Sequence, residues 1–266
     1  MHTSEQTMII DAHGHLWPKE SKNYKEYNAQ QLYAMDRLGI NMAAISVLPE
    51  EKRCTPDEFI SCNNDCIRYM REHKDRILGY CYVNPGYSEA ALREIDRCFD
   101  AGMIGVKLYH CYRFDDPVHF PLIEKTIGLG IPVLMHAGVS YNTALMERQP
   151  NIAGPVQFLN LIKRYPEAIL IEGHIGGGGD WEHVIKGLKP GSQIYADTSG
   201  SVVDETLIDR SVETLGIDRL LYANDCSFCD GMGKIMSAHL SDIDKKKIFS
   251  GNFIDILNKR KGGSVL

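Results

Sequence analysis

Short apolar runs rich in β-branched residues alternate along this chain with longer stretches in which apolar positions recur every three or four residues. The short runs end near Asp11 (MIID), Val47 (MAAISV), Val83 (ILGYCYV), Leu108 (IGVKL), Met135 (IPVLM), Glu172 (AILIE), Asp197 (QIYAD) and Asn224 (LLYAN). Each reads as a strand, and successive ends lie 25 to 37 residues apart, the length that a strand, a helix and two loops require. Between them, 57–73 carries Phe59, Ile60, Asn63, Ile67 and Met70 at helical spacing. The stretch 89–102 closes on Gly102, a helix stop, and 154–167 sets Val156, Phe158, Leu159 and Ile162 before a proline. Eight βα units predict a parallel sheet closed into a single-domain (β/α)8 barrel over residues 1–266, in preference to an open doubly wound sheet.

Composition narrows the class. With 44% hydrophobic and 24% charged residues the chain has the make-up of a water-soluble domain, and no apolar run reaches the roughly 18 residues of a membrane helix. The polar start, MHTSEQT, lacks the basic and apolar regions of a secretory signal, so the expected location is cytoplasmic. A net charge of −6, with basic clusters only at Lys245–Lys247 and in NKRKGG, argues against a nucleic-acid partner. Eight cysteines in 266 residues are too sparse for a disulfide scaffold and are expected to be reduced thiols.

The chemistry gathers where the apolar runs end. His13 and His15 follow MIIDA, and residues two apart in a strand face the same side, so a first strand that continues to His15 points both imidazoles into the barrel's mouth together. Taken alone, such a pair is as readily two polar loop residues as a metal site. The arrangement recurs, however: His136 closes IPVLM, His174 closes ILIEG and Asp225 closes RLLYAN. Histidines and a carboxylate at the carboxyl ends of several strands stand where a barrel assembles its catalytic groups, and that residue set suits a divalent metal.

These motifs resemble the amidohydrolase superfamily of metal-dependent barrel hydrolases. Within it they resemble the amidohydrolase-related branch, which includes aminocarboxymuconate-semialdehyde and resorcylate-type decarboxylases. The resemblance spans nearly the whole chain: HGH, GVKLYH, LMHAG, EGHIGGG, RLLYANDCSF and IFSGNFIDIL occur in the family's order. It implies that His13, His15, His136 and Asp225 bind a divalent metal, zinc first. It also implies that His174 and Asp225 are the catalytic acid/base groups. In binuclear relatives His174 and a carboxylated lysine at the Lys107 position hold a second metal; the alternatives for Lys107 are an ion pair with a carboxylate such as Glu172, or a substrate contact. A homodimer is implied as well.

Lys107, Tyr109, His110 and Arg113 are the substrate-binding candidates, the cations as partners for a carboxylate. Trp17, Lys19, Ser140, Tyr141 and Arg148 fall in loops at the same end, whereas His119 and His183 read as surface histidines. The stretch 176–180 (GGGGD) lacks the continuation of a phosphate-binding loop and reads as an active-site loop, and Cys226–Cys229 is a lone CxxC without a second pair. ANDCSF departs from the family's usual GSD or GTD followed by an aromatic residue and proline, and the chain is short for a decarboxylase of the branch. Both departures favour a hydrolase of an amide, cyclic amide or lactone acting on a small molecule. The alternatives are non-oxidative decarboxylation of an aromatic or unsaturated acid, or a metal-binding barrel without catalysis.

Overall fold

A computed structural model describes residues 7–138, 142–175, 181–188, 193–200, 202, 204–263 and 266. Eight parallel strands stand in sequence order: β1 (Ile10–Leu16), β2 (Met42–Val47), β3 (Ile77–Tyr82), β4 (Gly105–Leu108), β5 (Val133–His136), β6 (Leu170–Gly173), β7 (Ile194–Asp197) and β8 (Leu220–Leu221). All eight coincide with the predicted runs. The helices follow suit, at Pro56–Glu72, Ser88–Asp100 and Pro155–Arg164 for the three stretches named above. Glu58 accepts the N–H of Thr55 at 2.7 Å and so caps the first of these, while Gly102 takes φ +94° just beyond the second.

The seam between β8 and β1 closes through single bonds rather than a full ladder. Ala12 donates its N–H to the Tyr222 carbonyl at 2.9 Å, and Asp225 donates its N–H to the His13 carbonyl at 2.8 Å. Beneath them the buried Asp11 carboxylate accepts from the backbone N–H groups of His13 and Asn224, both at 3.0 Å, and from the Asn224 amide at 2.9 Å. Burial raises the Asp11 carboxyl to about 7, against the pull of those bonds.

The barrel interior is apolar at the end where strands begin. Ile10, Ala12, Ala44, Leu78, Leu134 and Ile171 meet there, and Phe253, Ile256 and Leu257 of the closing helix (Asn252–Leu257) plug that mouth. Asn252 locks the plug by donating its amide to the Ile217 and Leu220 carbonyls, each at 2.8 Å. A second, larger apolar layer lies between the sheet and the surrounding helices. All eight cysteines are free thiols, and no described helix is long and apolar enough to cross a membrane.

β1 departs from regular alternation at the point that matters for chemistry. Ile10 and Ala12 belong to the interior, so strict alternation would turn His13 and His15 outward. Between Asp11 and Gly14 the register with β2 slips by one residue, Asp11 pairing Ala43 and Gly14 pairing Ile45. This bulge reverses the phase. Leu16 joins the outer layer, and both histidines turn into the barrel mouth.

Candidate metal centre

Nε2 of His13 lies 3.3 Å from Nε2 of His15, and Asp225 Oδ1 lies 3.6 Å from the first and 3.1 Å from the second. The other ring nitrogens set the tautomers. His13 donates from Nδ1 to Asp197 Oδ2 at 2.8 Å, which leaves a lone pair on Nε2. Nδ1 of His15 faces the Ser46 carbonyl, an acceptor only, at 3.3 Å and the Ser46 hydroxyl at 2.9 Å. With its proton on that edge, two imidazole lone pairs and a carboxylate oxygen converge on one point. Acceptors so close repel one another unless a positive charge lies among them, so the residues fit a divalent cation.

A cationic side chain already reaches this point. Lys107, fully buried on β4, places Nζ 2.7 Å from His13 Nε2. Burial lowers its ammonium to about 8, with Asp225 and Asp197 pulling the other way. His174 packs beside His13, ring centroids 4.9 Å apart, with Nδ1 3.5 Å from Asp225 Oδ2 and 2.9 Å from Ser199 Oγ. Its Nε2 faces His136 Nδ1 at 3.0 Å. Ligand atoms of His13, His174 and Asp225 all lie within 4.8 Å of one another.

Burial favours the neutral form of three of these imidazoles. It lowers His13, His136 and, to about 4, His174, and the neighbouring Lys107 lowers all three further. Burial opposes ionisation of Asp225 and Asp197 too, but the histidines around them prevail and hold both well below the usual carboxylate range. Asp197 is the hub. Besides His13 it accepts from the His174 and Ser199 N–H groups, each at 3.0 Å, and from the Ser199 hydroxyl at 2.5 Å. His174 and Asp225 take φ of +71° and +45°, strained for residues with a Cβ, and Asp197 and the His13 carbonyl hold their amides there.

Of the remaining candidates, Tyr109 stacks on His136 at 4.1 Å, and His110 lies against both rings, at 5.1 and 5.8 Å. Arg113 stands apart: Asp115, two residues on, engages its guanidinium at 3.2 and 3.3 Å, and the side chain is 57% exposed. Glu172 does not pair with Lys107, because it neighbours Met135 and Ala196 on the outer face of the sheet while Lys107 faces inward. His119 is fully buried rather than on the surface, edge-on to Tyr112 and Phe114, and burial lowers it to about 4. Ser140, Tyr141 and 176–180 lie outside the described residues. Asp11, Ser46, Asp197 and Ser199, which brace the candidate residues or their neighbours by hydrogen bonds, were not singled out by the sequence reading. Asp197 carries the signal that His136 and Asp225 carry, a polar group closing an apolar run.

A parallel barrel with imidazoles and a carboxylate converging at its carboxyl end defines the class of metal-dependent barrel enzymes. The chain belongs to the amidohydrolase family, whose pattern it matches over residues 10–258. No curated protein matches it. The fold is similar to 2,6-dihydroxybenzoate decarboxylase from Rhizobium, with a TM-score of 0.75 and 15% identity over 94% of this chain and 98% of that one. It is similar to 4-oxalomesaconate hydratase from Rhodopseudomonas palustris, with a TM-score of 0.72 and 19% identity over 95% and 96%. A third similar structure is 5-carboxyvanillate decarboxylase from Novosphingobium aromaticivorans, complexed with manganese, with a TM-score of 0.73 and 16% identity over 95% and 96%.

Proposed function

We propose that this protein is a metal-dependent enzyme that removes a carboxyl group, without oxidation, from a small aromatic or unsaturated acid. The observation that carries the reading is the buried ammonium of Lys107 beside His13 Nε2, a cation placed where a substrate carboxylate would meet the His13, His15 and Asp225 donors. Two of the similar folds are decarboxylases of hydroxylated benzoic acids, which supports the same ordering. A divalent cation held by His13, His15 and Asp225, with His136 and His174 alongside, supplies electrostatic stabilisation of developing negative charge. Zinc and manganese both suit two imidazoles and a carboxylate.

The chain's own residues then divide the work. Lys107 orients the carboxylate, and Tyr109 and His110 wall the pocket beside His136. As the carbon–carbon bond breaks, carbon dioxide leaves and an electron pair remains on the substrate carbon, which must gain a proton. Asp225 and His174, with Oδ2 and Nδ1 3.5 Å apart, are placed to carry that proton from solvent to the carbon. Hydrolysis of an amide or lactone is the second reading, since the same pair could deprotonate water. It makes no use of a buried ammonium beside His13.

The test is a panel of hydroxybenzoic and unsaturated acids beside matched amides and lactones, offered to the metal-loaded protein. Carbon dioxide released in step with acid consumed, and reduced about a hundredfold by Lys107→Met, supports decarboxylation. Amide or lactone cleavage without carbon dioxide, unaffected by Lys107→Met, reverses the order.

A further inference from the structure

Lys52 lies in the loop after β2, in none of the motifs that carry the family resemblance, yet the fold fixes it at the mouth of the site. Its carbonyl accepts from the Tyr82 hydroxyl at 2.6 Å and from the Cys111 thiol at 2.9 Å. The next residue, Arg53, clamps the Cys111 carbonyl with Nε and Nη2 at 3.1 and 2.7 Å, and Asn84 holds the Cys54 carbonyl at 2.8 Å. A lysine backbone tied at this many points cannot swing its side chain away freely.

The side chain is half-buried and its ammonium is held inward. Nζ donates to the carbonyls of Pro49 and Glu50, at 2.5 and 3.3 Å, and lies 5.4 Å from the centroid of the Tyr109 ring. Lys107 Nζ lies 5.6 Å from the same centroid, and that ring stacks on His136. Two ammonium groups thus flank one aromatic ring at the edge of the donor cluster. Among the described residues, no carboxylate lies within ion-pair distance of either lysine. Lysines on a protein surface extend to water and need no partner; one drawn inward over a ring beside a second buried lysine lowers the energy of an anion that bridges them.

We infer that Lys52 is a substrate-binding residue that receives a second anionic group, a carboxylate, on a substrate whose first carboxylate lies at Lys107. This rests on the reading of the site as one that takes carboxylic acids. The substrate class narrows accordingly to planar acids with two carboxylates no farther apart than one ring's width allows.

Calorimetric titration of the metal-loaded protein with benzoate and with isophthalate, one carboxylate against two on the same ring, tests it. Wild type is expected to bind isophthalate about tenfold tighter or more, the worth of one charge-assisted hydrogen bond. Lys52→Met should bring the two acids to parity with benzoate affinity unchanged, and Lys52→Arg should keep most of the gap. Lys107→Met should weaken both acids alike. Parity in wild type, or a gap that survives Lys52→Met, would overturn the inference while leaving the acid reading intact. Failure of both acids to bind wild type, or binding of both that ignores Lys107→Met, would refute the acid reading and this inference with it.

Discussion

Asp197→Asn isolates the part of the site that holds His13 in its ligand form. In the native protein Oδ1 accepts three hydrogen bonds, from His174 N–H and from the N–H and hydroxyl of Ser199, while Oδ2 accepts one from His13 Nδ1. An asparagine keeps the greater number of bonds by presenting its oxygen to the three donors, and its NH2 group then faces His13. Two donors cannot share that contact, so the imidazole proton must move to Nε2. The lone pair aimed at Asp225 and His15 is lost. Outer carboxylates of this kind are worth about 10- to 100-fold in metal affinity, about 1.4 to 2.7 kcal/mol. Loss of one buried charge-assisted bond should lower the stability of the metal-free protein by about 1 to 3 kcal/mol, which leaves it folded. Competition with a chromophoric chelator measures affinity, and thermal unfolding checks the fold. A folded Asp197→Asn protein that binds zinc and manganese as tightly as wild type would refute the tautomer argument.

Two further outcomes follow from groups outside the metal site. His119, lowered by burial from 6.5 to about 4, refuses a proton that the unfolded chain accepts as pH falls through that window, so stability drops with acidification. Between pH 7 and pH 5 this amounts to about 2 kcal/mol, and His119→Leu should lose that much less in urea unfolding at the two pH values; an equal loss contradicts the assignment. A Cβ at Gly231 would lie 2.2 Å from Asn224 Oδ1 and 2.9 Å from the Ala223 carbonyl, beside the seam that Asn224 ties to Asp11. Gly231→Ala should therefore cost about 2 to 3 kcal/mol in urea unfolding, and a change below about 0.5 kcal/mol would show that the seam yields.

The strands were legible as short apolar runs at a regular spacing, and several of them lead into a polar residue at the barrel's carboxyl rim, as at His136, His174, Asp197 and Asp225, so the pattern that builds the sheet also marks where its chemistry begins. Three kinds of information were not. The spacing of His13 and His15 puts them on one side of β1, but only the bulge at Asp11–Gly14 determines that the side is inward, and a slipped register leaves no period in the sequence. Lys52 is one loop lysine among many until Tyr82 and Cys111, distant in sequence, grip its carbonyl. Polar neighbours made His119 read as exposed, whereas Phe114 and Tyr112 enclose it. Asp197 was within reach, since QIYAD ends as the ligand-bearing strands end.

The most direct test of the account is the metal content of the purified protein by elemental mass spectrometry, wild type beside His13→Ala/His15→Ala, each after dialysis and after reconstitution with zinc or manganese. Convergence of His13, His15 and Asp225 predicts at least one equivalent in wild type and none in the double variant. Wild type that retains no metal after reconstitution, or a double variant that binds as much as wild type, would contradict it.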